Sequence, residues 1–151
     1  MIWLTDKIVF PDYKFTTKEG VLALGGDLSE ERLIHAYKNG IFPWFSEGDP
    51  IVWYCPFKRM VLFADEIKVS KSMQKIINKN EFVITENKAF KEVIYNCKNI
   101  DRSDGFGTWI TDDMQQAYIT ATTRSDPDFT ELSAGQINGW KRDVQVLHYV
   151  V

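Results

Sequence analysis

A chain of 151 residues with 44% hydrophobic and 26% charged content suits one ordinary globular domain, or one small domain plus part of another, and excludes a disordered polymer. Its net charge of −3 excludes a protein that coats nucleic acid through its overall field, so any polyanion must be met by a local basic patch. No run approaches membrane-spanning length, and Met1-Ile2-Trp3-Leu4 passes directly into charge without the apolar stretch of a signal peptide, so a soluble cytoplasmic protein without membrane contact is expected.

The first element in chain order is the apolar run Val21-Leu22-Ala23-Leu24, closed by Gly25-Gly26. Asp27 and Glu30 then have capping-box spacing, which predicts a helix with Leu33, Ile34 and Tyr37 on one face. Lys38 sits in its last turn, and Asn39-Gly40 supplies a left-handed stop. Immediately after the stop comes Gly40-Ile41-Phe42-Pro43-Trp44-Phe45, three aromatics around a proline. Proline fixes its own φ and biases Phe42 toward extended backbone, so Trp44 leaves the helix on a stiff stem. Such rings either plug a small core or present a stacking wall.

Gly48-Asp49-Pro50 reads as a turn, Ile51-Val52-Trp53-Tyr54 as a strand halted by Pro56, and Met60 to Phe63 as a further strand. A domain boundary is placed near Arg59, where turn-rich and aromatic sequence gives way to alternating strand and helix. Val69, Met73, Ile76 and Ile77 form the apolar stripe of a helix capped by Ser70. Phe82 to Thr85 reads as a strand, and Ala89, Phe90, Val93, Ile94 and Cys97 as the stripe of a second helix. After the polar loop from Asp101 to Gly107, Thr111 caps a third helix. Asp112 and Asp113 suit the positive end of its dipole, and Met114, Ala117, Tyr118 and Ala121 form its buried face. No clear period continues past Thr120.

Cys55 and Cys97 form no Cys-x-x-Cys pair, and His35 and His148 lie on opposite halves, so the chain has neither a disulfide framework nor ligand spacing for a metal. Both thiols are expected to be buried. No Gly-x-Ser-x-Gly elbow is present, and Gly25-Gly26-Asp27 lacks the Lys-Ser/Thr of a phosphate loop. Two patterns suit nucleic acid, although a lysine face fits a plainly solvated helix equally well. Lys71, Lys75 and Lys79 recur every four residues, a row with steps of about 6 Å on a helix that carries no carboxylate between Lys68 and Asn80. Trp109 precedes the third helix and Tyr118 lies within it, so their rings can close walls of one pocket, although Tyr118 also fits a plain core stripe. With Trp44 these rings suit a terminal nucleotide, since base stacking contributes about 1–3 kcal/mol per base.

Taken together, Gly20-Val21-Leu22-Ala23-Leu24-Gly25-Gly26-Asp27-Leu28-Ser29, Ala36-Tyr37-Lys38-Asn39-Gly40-Ile41-Phe42-Pro43-Trp44-Phe45, Asp49-Pro50-Ile51-Val52-Trp53-Tyr54 and Thr108-Trp109-Ile110-Thr111 with Ala117-Tyr118 resemble leucyl/phenylalanyl-tRNA–protein transferase. The resemblance runs from about Leu4 to Tyr118. The family's Trp-Trp-Ser-Pro-Asp-Pro-Arg segment stands here as Trp53-Tyr54-Cys55-Pro56-Phe57-Lys58-Arg59.

The resemblance implies a bacterial aminoacyltransferase. It would move leucine or phenylalanine from aminoacyl-tRNA to the N-terminal arginine or lysine of an acceptor protein, marking it for degradation, as a monomer with no metal and no redox cofactor. It implies an α+β chain: a small amino-terminal α/β domain over residues 1–59, then the first part of an acetyltransferase-like (GNAT-like) domain over 60–119. Trp44, Trp109 and Tyr118 would line the aminoacyl-adenosine pocket, and Lys71, Lys75 and Lys79 would meet the tRNA acceptor stem.

The family's later His-Ser-Val-Glu-x-Trp strand, glycine-rich hairpin and Gly-Glu-Ser-Met-Phe-Ser segment do not follow Tyr118. Asp143-Val144-Gln145 matches its final Asp-x-Gln motif by letters alone. No catalytic residue is therefore carried over. Residues 120–151 are expected to be a divergent tail, from a shifted reading frame or a truncated, decayed copy. The competing readings are a non-catalytic binder of RNA ends and a peptide-binding aromatic groove.

Overall fold

In the computed structural model, the described residues are 1–60, 62–63, 66–80, 89–99, 108–123 and 144–145. They form a mixed α/β structure. A four-stranded sheet is built from β1 (Trp3–Leu4), β2 (Val21–Gly25), β3 (Phe42–Pro43) and β4 (Val52–Tyr54), in the order β1-β2-β4-β3. β1 runs parallel to β2, whereas β2 and β3 both pair antiparallel with β4. The helices are α1 (Glu30–Lys38), α2 (Lys71–Lys79), α3 (Phe90–Asn99) and α4 (Asp112–Thr123). A separate ladder pairs β5 (Leu62–Phe63) antiparallel with β6 (Val144–Gln145), giving two residues of the expected tail a strand that their sequence pattern did not signal.

β2 ends where its backbone turns left-handed at Gly25, with φ +73°. A Cβ there would come within 2.9 Å of the Trp3 ring, so the close pairing of β1 with β2 requires glycine. The capping box expected at Asp27 and Glu30 does not form. Ser29 is the N-cap of α1 and makes no side-chain cap bond. Asp27 instead accepts from the Ser29 amide at 2.8 Å and pairs with Arg32 at 3.0 Å. A buried cation competes more strongly for that carboxylate than a helix-terminal amide does.

The stop of α1 follows its sequence closely. Gly40, with φ +68°, donates to the Tyr37 carbonyl at 2.9 Å, and Ile41 donates to the Ala36 carbonyl at 2.8 Å. These are the paired bonds of a Schellman motif, which a left-handed glycine makes inexpensive.

Among the described residues, one core joins the four-stranded sheet to α1, α3 and α4. Leu22, Ala23, Leu33, Ala36, Ile41, Trp53, Ile94, Ile110, Met114, Tyr118 and Ala121 pack in a single buried cluster. Trp53 is fully buried, donates from Nε1 to the Gly25 carbonyl at 2.9 Å, and meets Phe10 edge-on at 4.9 Å. Its polar edge is thus satisfied at the end of β2. Arg32 is also fully buried; its guanidinium donates to the Thr5 and Lys7 carbonyls at 2.8 and 3.2 Å, tying the amino-terminal segment to α1.

The expected third helix is α4, capped by Thr111, whose Oγ1 accepts from the Met114 amide at 3.1 Å. The helix expected around Val93 is α3; Ile94 is buried, whereas Val93 is exposed. Ser70 caps α2 as its sequence predicts, accepting from the Met73 amide at 3.2 Å. The apolar stripe of α2 nevertheless stays open: Val69, Met73, Ile76 and Ile77 are between 41% and 50% exposed. Cys55 and Cys97 are half-buried at the core edge, not enclosed as expected. The strand expected at Phe82 to Thr85 and the loop from Asp101 to Gly107 lie outside the described residues, as does most of the chain after Thr123.

Candidate functional site

Position 44 is set by strand alternation. Ile41 and Pro43 are buried, while Phe42 and Trp44 point the other way. The ladder fixes this arrangement: Pro43 lies opposite the buried Trp53, and Phe42 lies opposite Tyr54. Phe42, Trp44 and Tyr54 therefore share the sheet face turned away from the core. Trp44 is 54% exposed and its amide donates to the Val52 carbonyl at 2.9 Å, so an open indole stands on a hydrogen-bonded backbone.

The rings form a row. Phe42 stacks on Tyr54 with centroids 6.0 Å apart and planes 19° apart, and Trp44 leans on Tyr54 at 5.7 Å and 49°. The Arg59 guanidinium lies over Phe42 at 5.6 Å and donates to the Gly40 carbonyl. This row offers an exposed π-face with a cation at its far end, an arrangement suited to a planar base.

Trp109 and Tyr118 occupy different ground. Trp109 is half-buried against the core cluster, and Tyr118 belongs to that cluster. The Tyr118 hydroxyl is hydrogen-bonded to that of Tyr37, and the rings meet edge-on at 6.1 Å. Burial pushes the Tyr37 phenol up to about 12, with the Tyr118 hydrogen bond acting against the rise. Burial raises Tyr118 well above its ordinary value, and the neighbouring Tyr37 adds to the shift. Both groups are neutral at physiological pH. The structure thus places Trp109 and Tyr118 in one packed cluster and Trp44 on the open sheet face.

Lys71, Lys75 and Lys79 are exposed along α2, whose first turn carries no acidic residue. Among the described residues, no group of three or more His, Cys, Asp or Glu could hold a metal ion, and no helix is long and apolar enough to cross a membrane. Sequence reasoning passed over Tyr54 and Arg59. The usable signal for Tyr54 was alternation, which puts it on the face opposite Trp53. Nothing in the local pattern around Arg59 announced its reach back to Gly40.

The family model described as leucyl/phenylalanyl-tRNA protein transferase N-terminal domain matches residues 26–56, and the one described as leucyl/phenylalanyl-tRNA protein transferase matches residues 61–125. The chain is 54% identical over 118 residues to the leucyl/phenylalanyl-tRNA--protein transferase of Flavobacterium psychrophilum, covering 78% of this chain and 56% of that protein. It is 56% identical over 118 residues to the Flavobacterium johnsoniae protein of the same name, with the same coverage. To that of Desulforapulum autotrophicum it is 47% identical over 116 residues, covering 77% of this chain and 51% of the relative. The chain spans about half the length of the curated relatives it matches. On these matches, the chain belongs to the leucyl/phenylalanyl-tRNA protein transferase family.

Proposed function

We propose that this chain recognises the aminoacylated 3′ end of tRNA, as part of a reaction that transfers leucine or phenylalanine to the N-terminal arginine or lysine of an acceptor protein and marks it for degradation in the cytoplasm. The observation that carries the reading is the exposed Trp44 indole on a rigid strand whose alternate residues are buried. In this reading Trp44 stacks on the terminal adenine. Trp109 and the Tyr118–Tyr37 pair form the firm wall behind the aminoacyl end, and Lys71, Lys75 and Lys79 meet acceptor-stem phosphates. Residues 60–119 are assigned to the first part of an acetyltransferase-like domain.

The chemistry asks mainly for alignment. The acceptor's neutral α-amine attacks the ester carbonyl to give a tetrahedral oxyanion, which collapses with cleavage of the ester C–O bond; the amide is made, and the proton the amine gives up balances the one with which the tRNA 3′-oxygen leaves as a hydroxyl. The ester is already activated, so holding the amine against it contributes most, with effective molarities of about 10⁵ to 10⁸ M for well-oriented partners. No redox or metal cofactor is required by these steps.

A second reading, binding of the RNA end without transfer, draws on one observation. Phe42, Tyr54 and the exposed Trp44 form a continuous ring row, and stacking on such a row holds a base whether or not a reacting group stands beside it. Two measurements test the pair of readings. Phenylalanyl-tRNA and a peptide with N-terminal arginine should give N-terminally phenylalanylated peptide if the chain performs transfer. A blank assay with intact binding of 3′-(phenylalanylamino)adenosine selects the second reading. Trp44→Ala should weaken that binding by roughly tenfold or more; unchanged affinity would remove Trp44 from the site.

A further inference from the structure

We infer that Arg59 is the positioning residue of the Trp44 platform: it joins the α1 stop to the exit of β4 and so fixes the ring row that presents the indole. The inference rests on the reading of Trp44 as a stacking surface, and it gives Arg59 a role exerted through Phe42 and Tyr54.

Four contacts carry it. Arg59 Nη2 donates to the Gly40 carbonyl, and Nε donates to the Pro56 carbonyl at 3.4 Å. Nη2 also lies 3.8 Å from the Cys55 sulfur, and the guanidinium carbon lies 5.6 Å from the centroid of Phe42. One planar group therefore touches the turn before β3, a ring on β3 and the chain leaving β4. Arginine alone supplies a rigid fork and a stacking face together. Gly40 fits this junction: a Cβ built there would lie 3.5 Å from Nη1, and its φ of +68° favours glycine in any case.

From Arg59 the constraint passes ring by ring. Phe42 lies beneath the guanidinium, Tyr54 stacks on Phe42, and Trp44 leans on Tyr54. The Trp44 backbone is pinned by its bond to Val52, but at 54% exposure its side chain has solvent over much of its surface. Its orientation accordingly depends on Tyr54, and that of Tyr54 depends on Phe42. Removing the guanidinium takes one contact from Phe42 and loosens the row at that end. An indole that must be ordered on binding loses affinity through the entropy of that ordering.

The test is fluorine NMR of the whole chain labelled with 5-fluorotryptophan, with the Trp44 resonance assigned by Trp44→Phe. In Arg59→Ala the Trp44 resonance should narrow and move toward the free amino acid, while those of Trp3, Trp53 and Trp109 hold their positions. Affinity for 3′-(phenylalanylamino)adenosine should fall about tenfold, with Arg59→Lys intermediate because it keeps the charge and loses the planar fork. If Arg59→Ala does not fold, Arg59→Lys decides by the same resonance. A Trp44 signal identical to wild type, or equal movement of all the tryptophan signals, overturns the inference. Failure of the unaltered chain to bind the probe would count against the proposed function instead, and the Trp44 resonance would still decide the role of Arg59.

Discussion

The Tyr37 hydroxyl on the last turn of α1 is hydrogen-bonded to the Tyr118 hydroxyl of α4, across 81 residues of chain. The two phenols close the contact between the helix that leads into Trp44 and the helix that follows Trp109. Because both are buried, their protonated forms are favoured by folding, and the sign of the pH dependence follows from that preference.

Tyr118→Phe should therefore cost about 1–2 kcal/mol at neutral pH through loss of one buried hydrogen bond. With Tyr37 raised in the folded state to about 12, the contribution of the pair is fully present below the unfolded value of 10 and is lost as pH rises toward 12. In urea unfolding, wild type and Tyr118→Phe should thus differ most near neutrality and converge above a pH of about 10. A gap that stays constant into strong alkali would show that the phenols do not set it.

Asp27 gives the opposite sign. Its hydrogen bond to Arg32 holds the carboxyl at about 2, below the ordinary 3.8, so its stabilisation is present above the unfolded value and is lost as pH falls through about 2. Arg32 is fully buried while the Asp27 side chain is half-exposed, which screens the pair and limits its worth to about 1 kcal/mol. Asp27→Asn should be less stable than wild type by about that amount at pH near 7. The difference should disappear in acid; equal stability at neutral pH would show that the Thr5 and Lys7 carbonyls suffice to hold Arg32.

These pairs mark the boundary of what the sequence discloses. Local punctuation was legible: Asn39-Gly40 stops α1, and Ser70 and Thr111 cap α2 and α4, because each signal acts within four residues of itself. Long-range partners were not. Helical spacing put Tyr118 on an inward face but could not say that Tyr37 would meet it, and Arg32 carries a charge that ordinarily marks a solvent face. At the site, the proline at position 43 announced the extended backbone that β3 shows, whereas the support of Trp44 by Tyr54 and Arg59 arises only once β3 pairs with β4.

The stripe of α2 shows the same boundary in its energetics. Its period resembles that of α1, yet Leu33 is fully buried and Met73 is half-exposed. Leu33→Ala should lower stability by about 2–5 kcal/mol, the range for truncating a packed core side chain. Met73→Gln, which keeps length and helix propensity, should stay within about 0.5 kcal/mol of wild type. A large loss for Met73→Gln in thermal unfolding would show that the stripe is covered in solution.

The lysine row yields the sharpest electrostatic expectation. Lys71, Lys75 and Lys79 stand on one helix at intervals of four residues, so about 6 Å of rise separates neighbours, close to the spacing of successive phosphates. A lysine that neutralises a phosphate releases counterions, and binding weakens linearly with the logarithm of salt concentration. Measured with an acceptor-stem RNA hairpin, Lys75→Ala should make the slope of log K against log salt shallower by about 1. Lys75→Arg should keep the slope because it keeps the charge. Since the chain carries a net charge of −3, a nonspecific field cannot supply the same dependence. An unchanged slope in Lys75→Ala would take that lysine, and with it the middle of the row, out of the interface.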